Sequence, residues 1–334
     1  MTNAIQKSDR MKNFGYIVLS VLLGLTACAS KQEVYLPVQK CAPIPVGRAS
    51  ACACALDGKG YVFSGRDADG NYLNDLWQYD PQTDTWTDLG VTPLRPRVHA
   101  AMIAYDGALY LGLGFASGKI YMEEYYLHDW WRWSPATGKW DSLAAYPDKT
   151  TIAPTLYQVD ERIYAIYGST SCFSRDIRYY LPQTNEWCSI AESHLRAYSA
   201  FCGVGATCHG KTYYGLGFNT GNLTQWYTMD LPSDKWTACR KLPAKGREYS
   251  ACGVGKDNIY VFGGRYFGGE YTGGEVFAEI WRYSPDADRW TYCGEMPGGR
   301  AENQIAFSIN GKVYFGLGRD EKGTVLNTLY RIED

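Results

Sequence analysis

Tyr260-Val261-Phe262-Gly263-Gly264, followed by Trp281, Tyr283, the turn Ser284-Pro285-Asp286, Trp290, Pro297 and Arg300, is one copy of a segment that recurs along the chain. Its best-defined glycine returns at Gly65, Gly114, Gly168, Gly217, Gly264 and Gly318, at intervals of 49, 54, 49, 47 and 54 residues. A period near 50 that does not drift marks an array of one supersecondary unit. The first copy keeps the same order through Tyr61-Val62-Phe63-Ser64-Gly65, Trp77, Tyr79, Pro81, Trp86, Pro93 and Arg97. Each copy holds about four short β runs split by Gly, Pro, Asn and Asp clusters, with no helical period.

A single four-stranded sheet of this size cannot bury its faces alone. Radial stacking of six such sheets solves that, so the fold class is all-β, a six-bladed propeller. The glycine after each apolar run lets the chain turn without a Cβ where strands crowd near the axis. Trp86, Trp140, Trp187, Trp236 and Trp290 read as filler between neighbouring blades. The last copy stops at Asn327-Thr328-Leu329-Tyr330-Arg331-Ile332, without a fourth strand. Val38 to Arg48 matches Trp290 to Arg300 and carries the missing strand. The N-terminal stretch is therefore expected to complete the last blade, closing the ring and pairing an otherwise open edge. The aliphatic run, its glycine, the Tyr and the later Trp resemble the kelch repeat, over about residues 33–334. The first glycine of the kelch pair is intact only at Gly263; Ser64, Leu113, Tyr167, Leu216 and Leu317 replace it elsewhere.

Residues 1–27 read as a signal peptide, with Lys7, Arg10 and Lys12 before an apolar run from Tyr16 to Leu23 that is too short to span a membrane. Leu25-Thr26-Ala27-Cys28 resembles the bacterial lipobox, which implies lipidation of Cys28, residues 28–33 as tether, and a propeller over residues 34–334 held at the cell envelope. Ala29 after the cysteine favours the outer membrane. Removal of the leader moves the net charge from −2 to −4, which gives no basic stripe for nucleic acid. Contact with a membrane is expected through the lipid alone.

Ten cysteines remain besides Cys28. In an exported chain, disulfides are the first expectation. Cys41, Cys239 and Cys293, however, share one register of the repeat, and Cys52, Cys202 and Cys252 another, which favours one buried small-thiol environment repeated. No CxxC pair occurs, so no structural metal is expected, and no cofactor motif is visible.

The links between blades carry Arg48, Arg97, Arg196, Arg247 and Arg300; the third blade has Thr150-Thr151 instead. The kelch resemblance implies a ring of five guanidiniums, which would suit carboxylate or phosphate. The competing role is to cap carbonyls at the blade junctions. Two residues further on stand Ser50, His99, Tyr198, Tyr249 and Glu302, of which Glu302 and then His99 are the candidate acid or base. Either could equally partner a neighbouring arginine. Two long loops, residues 115–128 and 265–277, add Arg265, Tyr266 and further aromatics. Two functions fit. One is an envelope-anchored module binding a glycan or peptide, of acidic character, at an Arg- and Tyr-lined face. The other, by resemblance to exported kelch proteins, is an N-acetylneuraminate epimerase-like enzyme interconverting sialic acid anomers. Copper radical oxidases of the galactose oxidase kind are set aside, because His99, His128, His194 and His209 are scattered over the chain.

Overall fold

Six four-stranded antiparallel sheets follow one another along the described chain, spanning residues 52–91, 101–142, 155–189, 204–238, 251–295 and 305–333 as blades 1 to 6. The structure is a computed structural model that describes residues 36–116, 125–147, 153–166, 168, 177–190, 200, 202–268 and 274–334. Within each blade the strands pair in chain order, as short turns dictate. Asp57-Gly58, Asp106-Gly107 and Asn310-Gly311, all with positive φ, close the inner hairpins of blades 1, 2 and 6. Blade 6 takes its outer strand from the other end of the chain. Val38–Cys41 runs antiparallel to Leu329–Glu333, with Val38 opposite Ile332 and Cys41 opposite Leu329. The closure expected from the repeat count is the closure observed.

Hydrophobic burial lies between blades. Six clusters each join one consecutive pair, and one of them ties Ile305 and Phe307 of blade 6 to Val62 and Trp77 of blade 1. The innermost strands touch in a full circle. Three of the five filler tryptophans reach backwards with a hydrogen bond as well as a ring. Trp86, Trp187 and Trp290 donate their indole N–H groups to the carbonyls of Ala42, Ala144 and Arg240 in the preceding blade, at 2.9, 3.0 and 2.8 Å. All nine described cysteines are free.

The repeating glycine has a steric cause. A Cβ on Gly65, Gly264 or Gly318 would stand 3.0, 2.7 or 2.4 Å from the carbonyl oxygen of Ala49, Glu248 or Glu302, and all three have φ near +90°. The residue before each is left-handed too. Ser64, Leu113, Leu216 and Leu317 hold φ between 56° and 63°, so the kelch pair's first position keeps its backbone even without glycine.

Candidate functional site

The centre of the ring is built from backbone. Ser50, His99, Ala153, Cys202, Tyr249 and Asn303 fall one per blade, and all six hold φ between 50° and 58°. Side-chain-bearing residues seldom adopt that region, and they concentrate at functional sites. The amide N–H of His99 donates to Ser50, that of Ala153 to His99, that of Tyr249 to Cys202, that of Asn303 to Tyr249, and that of Ser50 to Asn303, at 2.8–3.2 Å. The turns aim their side chains inward. The rings of His99 and Tyr249, from blades 2 and 5, meet across the axis with centroids 5.5 Å apart. Ser50 Oγ lies 3.1 Å from Asn303 Oδ1. Burial, with the Arg319 cation nearby, pulls His99 down to about 4, so its imidazole is neutral near neutral pH. Cys202, burial and Glu248 all push the Tyr249 hydroxyl up.

Above this floor opens a cavity of about 470 Å³. Arg66, Arg265 and Arg319 line it, beside Asp67, Tyr72, His99, Tyr249 and Asn303. Each of the three arginines directly follows the repeating glycine, at Gly65, Gly264 and Gly318. Each pairs in antiparallel register with the link entering an inner strand: Arg66 with Ala49, Arg265 with Glu248, Arg319 with Glu302. Bare glycine lets that ribbon close against the link, and the next side chain is thereby delivered to the axis.

Two buried carboxylates stand behind the arginines. Arg319 Nε donates to Glu302 Oε1 at 2.8 Å. Arg265 Nε lies 3.8 Å from Glu248 Oε1 and 3.7 Å from Glu302 Oε2, too far for a direct hydrogen bond. Both Arg265 Nε and Glu302 Oε2 are buried without a hydrogen bond to another protein group. Such orphaned polar atoms call for an explanation in terms of function. Burial lifts Glu248 to about 7 against the pull of Arg265, and Glu302 adds to the rise.

A second, more apolar compartment of about 290 Å³ adjoins the first, lined by Phe218, Glu248, Tyr249, Arg265 and Phe267. Phe218 and Phe267 meet edge-on, 5.8 Å between centroids. Phe267 is held in place by its backbone N–H, which donates to Asn222 Oδ1 at 2.6 Å. Among the described residues no group of three or more His, Cys, Asp and Glu side chains is arranged to hold a metal ion.

Among the described residues the expected arginine ring is not formed. Arg48, Arg97 and Arg247 are 0 % exposed. Arg48 grips Asp75 with two bonds of 2.7 and 3.0 Å, Arg97 grips Asp129 with two of 2.6 and 2.8 Å, and Arg247 Nη2 donates to Glu279 at 2.5 Å. Each also donates to the carbonyl just before the repeating glycine, at Ser64, Leu113 or Gly263. Every acid accepts in turn from a tryptophan two residues on, Trp77, Trp131 or Trp281. These guanidiniums staple a blade to its own link and have no face left for a ligand. Arg300 is one residue out of register. Gly264 N–H bonds Ala301, where its counterparts at Gly318, Gly65 and Gly217 bond Arg48, Arg97 and Arg247. Arg300 instead lies half-exposed beside Glu275 and Glu321.

Of the other expected residues, His99, Tyr249 and Arg265 line the cavity, and Glu302 stands just behind it. Tyr266 sits on the same ribbon with Lys245 Nζ 5.8 Å from its ring centre, and lines neither compartment. Arg196, Tyr198 and Cys28 lie outside the described residues. Arg66, Arg319, Glu248, Asn303 and Phe218 are not among the expected residues, and Phe267 is among them only as one of the aromatics of the long loop 265–277. A signal for the two arginines existed, since both occupy the position after the repeating glycine.

Known proteins place this geometry in context. Residues 25–217 match the family model of the KLHDC2/KLHL20/DRC7 kelch-repeats domain, and residues 246–297 match the kelch motif. Kelch-like protein 35 of Mus musculus is 24 % identical over 258 residues, which is 76 % of this chain and 40 % of that protein. The N-acetylneuraminate epimerase of Shigella flexneri is 34 % identical over 115 residues, covering 34 % of this chain and 30 % of the enzyme. The chain thus spans about two fifths of the length of the kelch-like relatives it matches. Among solved structures, that of YjhT superposes with a TM-score of 0.74 over 86 % of this chain and 95 % of the other, at 17 % identity, a likeness of fold alone.

Proposed function

For a chain that belongs to the kelch-repeat family of β-propellers, we propose binding of a carboxylate-bearing sugar at the axial cavity. The observation that carries this reading is the convergence of Arg66, Arg265 and Arg319 on one concave site. Guanidinium forks match a carboxylate, and a concave site with a few convergent polar groups is the ordinary form of a small-ligand pocket. Sialic acid is the first sugar to try, since a stretch of the chain is related to N-acetylneuraminate epimerases. Asn303, Ser50 and the Tyr249 hydroxyl offer neutral partners for sugar hydroxyls. Lipid attachment at Cys28 would hold the site at the outer membrane of the cell envelope, a reading supported by the apolar run and by Leu25-Thr26-Ala27-Cys28.

A second reading, anomer interconversion, is favoured by Glu248. A carboxyl poised near 7 is partly protonated at neutral pH. Protonated, it could donate to the ring oxygen of a bound sugar. Glu302, held beside Arg319, could take the proton of the anomeric hydroxyl, so that the ring opens. Proton NMR of sialic acid freshly released as its α-anomer, with and without the protein, separates the two. Faster anomer equilibration makes the protein an isomerase. Line broadening without acceleration makes it a binding module. An unchanged spectrum removes sialic acid from both readings.

A further inference from the structure

The two compartments share Tyr249 and Arg265, so one ligand can reach across both. Resting on the acidic-sugar reading above, we infer that the site takes a glycan of at least two rings, with its carboxylated sugar among the three arginines and a neutral pyranose against Phe218 and Phe267. The walls of the second compartment decide the class of its occupant. Its floor is aromatic, with Phe267 44 % exposed and set edge-on against Phe218. Aromatic rings present flat apolar faces, and a pyranose has a C–H-rich face to lay on one. Its wall is the Glu248 carboxylate, which is 5 % exposed and can accept hydrogen bonds from sugar hydroxyls. A hydrocarbon group in the same place would cover that carboxylate without pairing it, which is costly. Arg265 stands at the seam, its guanidinium carbon 5.8 Å from the centre of Phe267, and can touch both rings of the ligand. A sugar joined through its anomeric carbon cannot open its ring, so an occupant of this kind makes retention of a glycan the task of the site.

Calorimetry on the full chain tests this with three probes: free N-acetylneuraminate, N-acetylneuraminate joined to lactose, and its phenyl glycoside. The lactose-bearing probe should bind about tenfold or more tighter than the free acid. Phe267→Ala should erase that gain and leave the affinity for the free acid within about twofold, and Phe267→Tyr, which keeps the ring face, should restore the gain. Equal affinity for the free acid and the lactose-bearing probe overturns the inference while leaving the acidic-sugar reading intact. A phenyl glycoside that gains as much as the lactoside also overturns it, because the compartment then takes an apolar group. Failure of all three probes to bind overturns the acidic-sugar reading and this inference together.

Discussion

Arg48, Arg97 and Arg247 stand in one register of the repeat, and Arg66, Arg265 and Arg319 in another eighteen residues after that slot. The first three are sealed and saturated. The second three share a cavity, and only Arg319 makes a close ion pair. The difference is one of partners supplied within the blade. Where a link carries arginine, an acid stands at or just before the start of the third strand of that blade: Asp75, Asp129 or Glu279. Where the slot holds Ala200 or Ala301, the acid position holds Gln225 or Thr328, which pair their carbonyls with Leu216 and Leu317 as Asp75 does with Ser64. In these five blades arginine and acid occur together or not at all, as expected when neither can be buried alone, whereas the sequence of blade 3 has Asp176 before its third strand and Thr151 in the slot. No such rule governs the second register, where the side chain can be arginine or phenylalanine, as at Phe115 and Phe218.

The contrast can be broken by mutation, and the largest effect should come from the sealed set. Arg97→Ala leaves Asp129 and the Leu113 carbonyl without their partner, and denaturant unfolding should show a loss of about 3–5 kcal/mol. A loss below about 1 kcal/mol, with weaker binding of an acidic sugar, would invert the comparison. Arg66→Ala is the matching change in the open set. The Arg66 side chain is exposed and, among the described residues, donates from Nε to the Gly70 carbonyl. The variant should keep its stability to within about 0.5 kcal/mol and lose about tenfold in affinity for N-acetylneuraminate by calorimetry.

A smaller effect sharpens the picture of the acids behind the open arginines. Glu248 is raised from the ordinary glutamate range to about 7. The folded state therefore holds its proton more tightly than the unfolded chain. Its contribution to stability is fully present below about 4.5 and is lost as pH rises through 7. Ionised Glu248 also competes with a ligand carboxylate for Arg265. Affinity for an acidic sugar should fall about three- to tenfold between pH 6 and pH 8, and Glu248→Gln should abolish the fall. A pH-independent affinity in the parent protein would separate Glu248 from the site. The smallest effect belongs to Arg300→Ala, which should shift neither stability nor affinity by more than about 0.5 kcal/mol.

What was legible in the sequence was what the backbone enforces. The glycine period, the strand missing from the last copy and the stretch that replaces it are local facts, and ring closure follows from counting them. The site was legible where the same counting reached the axis, as at His99 and Tyr249; from Arg300 it stopped one residue short, at Glu302 beside the axial Asn303. Reading failed where the role of a side chain depends on a distant partner. Arg97 and Asp129 are 32 residues apart and become one unit only once the third strand lies beside the link. Arg300 misled for a different reason. Gly298-Gly299-Arg300 reads like Val46-Gly47-Arg48, but one extra residue before blade 6 puts Ala301 into the slot. Phe267 was legible only as one aromatic of a long loop, and Phe218 gave no signal, because their meeting depends on the ribbons of two neighbouring blades.

The belt of left-handed residues at the axis has a consequence for how such a molecule can change. Its links run from amide to carbonyl, so the belt asks nothing of the side chains it carries. The present occupants are serine, histidine, alanine, cysteine, tyrosine and asparagine, a set with no common chemistry. Only branching at Cβ is discouraged there. The innermost position of every blade is therefore a socket whose contents can be exchanged one at a time while the ring holds its shape, and a propeller of this build can acquire a new specificity without first learning a new fold.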